Sequence, residues 1–249
     1  MGLIVTESKE VYFDPNRELL VNTSIESNPQ SQRYSGVLVY SIFRRLHSQS
    51  NGQNNPGDGN PLIFALKGMK GYSITTEEWE KFSINKDLII KKIISKHLIF
   101  NNILCIPSSS NVVYDTAISI SNCDSFKEPV SVYDSCFEKK TISEIYEDFS
   151  KVEVPKKLRS SANKVLSDLK KLKDDPHAVF KMKAVDVKIR PYISTLKLAE
   201  NFKTYPDHYY IFIEDLISSG STINSAIECL VRSGIPKQNI LGISLLSKV

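Results

Sequence analysis

The most regular pattern in the chain lies between residues 158 and 172, where Leu158, Ala162, Val165, Leu169 and Leu172 recur at spacings of four, three, four and three. That period marks one face of an α-helix, and Pro155 suits its start because proline's fixed φ matches a first turn. The opposite face carries Lys156, Lys157, Arg159, Lys164, Lys170 and Lys171, which reads as a solvated basic surface more readily than as a phosphate site. Asp174-Asp175-Pro176 ends the helix. Beyond it Phe180, Met182 and Ala184 alternate with Lys181 and Lys183, the pattern of a half-exposed strand.

Upstream the apolar runs are shorter. Residues 36–43 and 62–66 flank a stretch at 48–60 rich in Asn, Gly, Pro and Asp, which predicts an exposed, mobile loop, a surface feature before it is a binding lid. Residues 62–72 (LIFALKGMKGY) predict a strand or hairpin, since Leu-Ile-Phe favours a pleated surface and two glycines then allow a turn. Thr75 with Glu78 predicts a capping box ahead of a short helix that carries Trp79, read as a core residue, and Phe82. Asn85 predicts the cap of a second helix through Ser95, with Ile84, Leu88 and several isoleucines on its buried side. Residues 102–106 (NILCI) predict a strand, residues 107–111 a loop, and Val112 to Ser121 a helix, together half of an α/β unit. A helix over 142–149 is expected where Thr141 and Glu144 form a capping box, and residues 239–246 read as a last core strand.

Composition narrows the class. The chain has 249 residues, of which 41% are hydrophobic and 24% charged, with 10 Gly and 11 Pro, so neither a disordered nor a collagen-like chain fits. The length suits one large domain or one domain with a smaller module. Lys and Arg number 32 against 28 Asp and Glu, a net charge of +4. The bases are spread along the chain, which gives only a mild preference for anionic ligands. The basic helix permits nucleic-acid binding, but no helix-turn-helix pattern, RNP motif or zinc finger supports it. Cys105, Cys123, Cys136 and Cys229 lie far apart, which argues against a zinc site of the usual spacing and for free thiols in a reducing compartment. No run approaches the roughly eighteen apolar residues of a membrane span, and the first residues lack the pattern of an export signal. The expected location is the cytoplasm.

The chemistry concentrates in residues 209–234. An apolar run at 210–213 suits a strand covered on both faces. Glu214 and Asp215 follow, then the small residues Ser218, Ser219, Gly220, Ser221 and Thr222, then a helix whose inner side is Ile223, Ala226, Ile227 and Leu230, stopped by Gly234. A helix start exposes unpartnered N–H groups and a favourable dipole, so this loop is suited to wrap a phosphate. The carboxylates just before it suit the hydroxyls of a sugar. A phosphorylated ribose satisfies both halves.

Residues 211–222 (IFIEDLISSGST) resemble, at every position, the 5-phosphoribosyl 1-pyrophosphate (PRPP) binding motif of type I phosphoribosyltransferases: apolar strand, two acids, two apolar residues, small, small, Gly, any residue, Ser or Thr. The resemblance covers roughly residues 97–249. It implies an α/β fold, a mostly parallel sheet flanked by helices, preceded by an N-terminal α+β module at residues 1–96. It assigns Glu214 and Asp215 to the ribose hydroxyls, directly or through Mg²⁺, and residues 218–222 to the 5-phosphate. It makes Ser108, Ser109, Ser110 and Asn111 the candidates for the pyrophosphate loop, and Lys188 and Arg190, in a flexible loop expected at 181–190, the candidates for basic contacts to pyrophosphate. The hood that grips the acceptor would come from residues 1–96 or 122–154. The implied activity is transfer of the 5-phosphoribosyl group from Mg²⁺-bound PRPP to a nucleobase or other nitrogen nucleophile. The alternative is a non-catalytic PRPP or nucleotide sensor acting as a regulator or as an effector subunit of a larger assembly, for example a defence system. Partners beyond the ligand would be a second copy of the chain or such an assembly.

Overall fold

The apolar runs at 210–217 and 240–247 become neighbouring strands at the centre of one sheet. The computed structural model describes residues 1–46, 60–126, 128–175, 178 and 180–248. The loop expected at 48–60 therefore lies outside the described residues except for Asn60. In chain order the strands are β1 (Gly2–Val5), β2 (Val11–Asp14), β3 (Val21–Asn22), β4 (Gln30–Tyr34), β5 (Val37–Arg45), β6 (Asn102–Cys105), β7 (Ser131–Tyr133), β8 (Phe137–Lys139), β9 (Leu196–Leu198), β10 (Tyr210–Ile217) and β11 (Ile240–Ser247). The helices are α1 (Pro61–Leu66), α2 (Thr76–Ile94), α3 (Val112–Ser121), α4 (Ile142–Ser150), α5 (Arg159–Leu172) and α6 (Ser221–Arg232).

Strands β5, β11, β10, β6 and β7 lie side by side in that order and run parallel, while β3 and β4 pair antiparallel with β5. The protein is thus mixed α/β with a mixed sheet. Residues 1–96, expected as a module, lay β3, β4 and β5 into this same sheet. Alternation sends Ile211 and Ile213 into a core shared with α1, α2 and α3, and Tyr210 and Phe212 into a second core under α6. The connection β6–α3–β7 therefore steps toward one edge on one face, and β10–α6–β11 steps toward the other edge on the opposite face. β6 and β10 are neighbours, with Ile213 opposite Cys105. The winding reverses between them, and in open α/β sheets that reversal leaves a crevice outside the carboxyl ends of the strands.

A third core belongs to the stretch between β8 and β9, where Ile142, Ile145 and Phe149 of α4 meet Ala162, Val165 and Leu169 of α5 and Val185, Ile189 and Ile193 beyond it. The periodic residues of α5 are the ones that pack here. α4 starts with the expected capping box, Thr141 Oγ1 accepting from Glu144 N–H while the Glu144 carboxylate accepts from Thr141 N–H.

Five local expectations fail. Residues 61–66 form α1 and not a strand, because Asn60 caps Leu62 N–H with its side chain and Pro61 fits the first turn. Residues 76–94 form one helix, so Asn85 is interior and not a cap. Ile84 and Leu88 are exposed at 63% and 44%, because at 100° per residue they lie opposite Phe82, Ile89 and Ile93. Thr75 does cap Glu78 N–H, but the Glu78 carboxylate turns to Phe13 N–H and Lys81, leaving half a box. Finally, residues 182–184 form a single 3-10 turn and 190–192 another, so the strand expected through Phe180, Met182 and Ala184 and the strands expected within 181–190 are absent.

Candidate functional site

β10 carries Glu214 and Asp215 at its carboxyl end, 8% and 5% exposed. Consecutive strand residues point to opposite faces, yet both acids line one cleft, where β6 has stopped at Cys105 opposite Ile213 and left that edge of β10 open. Asp215 Oδ2 accepts Ser108 Oγ–H at 2.7 Å and pairs with Lys67 Nζ at 2.6 Å. Glu214 is different: its buried Oε2 has no hydrogen-bond partner. Burial, aided by the neighbouring Asp215 charge and opposed by Lys67, pushes its carboxyl up to about 8. A buried polar atom without a partner, aimed into a cleft, is the group a ligand would satisfy.

Two helix starts face the acids. β6 leaves the sheet at Ile106, whose N–H still bonds Ile213 C=O at 3.0 Å, and residues 107–111 turn into α3. Asn111, at the head of α3, makes no side-chain cap, and Ser110 Oγ is buried without a partner. On the other side Gly220 heads α6 with φ +74°, again without a side-chain cap. That left-handed conformation favours glycine. A Cβ there would also collide with the Tyr34 ring, meeting Cδ1 at 2.9 Å and Cε1 closer still. Gly220→Ala is therefore expected to lower stability by about 2–3 kcal/mol, measured as a shift in the urea midpoint. Adding Tyr34→Ala should relieve the steric share and leave about 1 kcal/mol of backbone strain. An unchanged midpoint in the single variant would contradict this account of the loop.

The cleft has a volume of about 500 Å³. Ser108, Ser109, Glu214, Asp215 and Thr222 line it from the sheet side, so the acids and members of both serine loops meet there. Ser218, Ser219 and Gly220 lie in the turn beside it and Ser221 opens α6, with Ser219 Oγ and Ser221 Oγ 3.2 Å apart. No family model matches this chain, and no curated protein matches it. The site is thus read from its geometry and its motif.

Lys188 and Arg190 are not among the lining residues. Lys188 is exposed, and Arg190 Nε–H bonds Val185 C=O at 3.0 Å within the helical insertion. The opposite wall comes from that insertion: Ile142 and Ile145 of α4, then Phe180, Met182 and Thr195. The cleft wall on that side runs from Lys139 to Leu196, past the end of the 122–154 stretch expected to cover the site, and Lys67 is the lining residue that comes from 1–96. Sequence reading also missed Lys67, which follows α1 and reaches Asp215 across the whole fold. A larger hollow of about 800 Å³ between α5 and residues 180–187 has neither paired buried acids nor a serine loop at a helix start. The thiols of Cys105 and Cys136 are pushed up to about 12 by burial, which disfavours the thiolate a nucleophile needs.

Proposed function

We propose that the cleft binds PRPP with Mg²⁺ and that the protein transfers the 5-phosphoribosyl group to a nitrogen nucleophile. The observation that carries this reading is the placement of Glu214 and Asp215 between two serine loops at helix starts, where the winding of the sheet reverses. One loop suits the 5-phosphate and the other the diphosphate. The unpartnered Glu214 Oε2 supplies an acceptor for a ribose hydroxyl. The type I phosphoribosyltransferase resemblance of residues 211–222 supports the same arrangement.

Glu214 and Asp215 also offer the oxygen donors that Mg²⁺ prefers. Among the described residues no group of three or more His, Cys, Asp or Glu could hold an ion, so the ion would arrive on the ligand's phosphates and would neutralise charge on the diphosphate. In the reaction the nitrogen lone pair forms the new bond to the anomeric carbon. The carbon–oxygen bond to diphosphate breaks with its electron pair on oxygen, and the proton on nitrogen leaves to solvent. The Asp215 carboxylate, joined by Glu214 once binding ionises it, favours the developing positive charge at the anomeric carbon. Ile142, Ile145, Phe180 and Met182 provide an apolar wall against which a planar nucleophile can lie and from which water is excluded.

Calorimetric titration of PRPP with Mg²⁺ into the parent and into Asp215→Ala tests the reading. The parent is expected to bind and the variant to bind at least about tenfold more weakly, a difference of about 1.4 kcal/mol. A thermal melt of the variant shows that the fold persists. Failure of the parent to bind at millimolar ligand would overturn the proposal. Release of pyrophosphate in the presence of a panel of nitrogen nucleophiles then separates an enzyme from a sensor.

A further inference from the structure

Lys67 belongs to none of the motifs that mark the site in the sequence. It closes α1, and its side chain is only 15% exposed with Nζ 2.6 Å from Asp215 Oδ2. The same oxygen accepts from Ser108 Oγ, so the ammonium and the loop at 107–111 are neighbours across one atom. An ammonium has three donors and no acceptor, and among the described residues its one ion-pair partner is Asp215. Its remaining donors border the cleft that it lines together with Ser108 and Ser109.

The other lysines of the cleft are placed differently. Lys140 is held by Asp148 at 2.6 Å and by Ser194 at 3.0 Å. Lys139 is exposed at the rim, where solvent screens its charge. Lys67, part-buried and held by a single carboxylate, keeps donors to spare, and such an oriented cation acts on an anion at smaller reorganisation cost than a solvated one.

We infer that Lys67 is the ammonium that holds the diphosphate of the ligand, the role expected from sequence for Lys188 and Arg190. Asp215 keeps the side chain aimed while the free donors meet the phosphate oxygens. As the carbon–oxygen bond breaks, the charge gathering on the diphosphate falls beside this ammonium, so Lys67 assists departure as well as binding. The inference rests on the ribose-phosphate reading of the cleft, and three probes with Mg²⁺ keep the two apart: PRPP, ribose 5-phosphate and inorganic diphosphate.

Each probe is titrated into the parent, Lys67→Gln and Lys67→Arg. Lys67→Gln is expected to lose about tenfold or more in affinity for PRPP and for diphosphate, while ribose 5-phosphate binding stays within about twofold. Lys67→Arg should restore much of the loss, since it keeps the charge. Equal weakening toward all three probes would overturn the inference, because Lys67 would then act only by placing Asp215. Unchanged PRPP affinity in Lys67→Gln would overturn it as well. A parent that binds ribose 5-phosphate but not diphosphate sinks the role of Lys67 and leaves the ribose-phosphate site standing. A parent that binds diphosphate through Lys67 but not ribose 5-phosphate sinks the reading of residues 214–222 and keeps Lys67. A parent that binds none of the probes sinks both.

Discussion

Gly242→Ala is expected to destabilise the protein by about 3 kcal/mol, more than most single methyl additions. Gly242 lies in β11 between Phe212 of β10 and Val39 of β5, its direct partners in the two flanking ladders. A Cβ there would stand 2.5 Å from Phe212 Cζ, 2.7 Å from Cε2 and 2.8 Å from Val39 Cγ2. Phe212 is fully buried and Val39 nearly so, so neither can swing into solvent to make room. No special backbone conformation is required at this position, and the whole effect is steric. The check is chemical denaturation of Gly242→Ala, Phe212→Leu and the double variant. Shortening the ring should recover a large part of the loss, giving a coupling of at least about 1 kcal/mol. Strict additivity would mean that the Phe212 ring does not fill the space over Gly242.

Glu214→Gln should make stability less dependent on pH, and the sign can be worked out. The folded carboxyl sits at about 8 against an ordinary value of 4.5, so between those values the folded state holds a proton that the unfolded state has lost. Stability from this group is complete below about pH 4.5 and is lost as pH rises through about 8. Glutamine keeps the shape and cannot ionise. Near pH 4.5 the two proteins should differ little, whereas at about pH 9 the variant should be more stable by an amount on the order of several kcal/mol. Urea titrations across that range measure it. A difference that stays constant with pH would mean that Glu214 is not held neutral by burial. The same proton gives the proposed PRPP binding a signature: if Glu214 must ionise to meet Mg²⁺ and a ribose hydroxyl, binding below about pH 8 releases a proton, visible as a dependence of the heat on the buffer.

Where local periodicity and packing agree, the chain is legible. The spacing from Leu158 to Leu172 gives α5, residues 112–121 give α3, and the apolar runs on either side of α6 give β10 and β11. The loops at 107–111 and 218–222 could be placed because each sits between a readable strand and a readable helix. Competing local signals hid the rest. Leu62, Ile63 and Phe64 favour a strand by propensity, yet Asn60-Pro61 in front of them starts a helix. Asn85 reads as the cap of a new helix, yet it is buried in the middle of α2 beside Lys86, whose Nζ donates to Ser119 Oγ at 2.7 Å. Lys67 escaped notice for a different reason. Its partner lies far along the chain, and only the sheet brings α1 and the end of β10 together. The span of the apolar wall was hidden likewise, since Ile142 and Phe180 meet at the cleft only after α5 has packed back on α4.

The stretch between β8 and β9 leaves and rejoins the sheet region at a single doorway, where Lys140 N–H bonds Thr195 C=O at 3.0 Å. A segment whose two ends touch is a closed loop in the polymer sense, and its interior can grow, shrink or be exchanged with only a slow logarithmic change in closure entropy. Its apolar side chains are satisfied by one another in a core of their own. The two serine loops and the acids stand on the far side of that doorway, on strands that the insertion does not interrupt. Mutational drift can therefore run at two speeds in this chain, fast in the apolar wall of the cleft and slow in the floor that carries the acids and the serine loops.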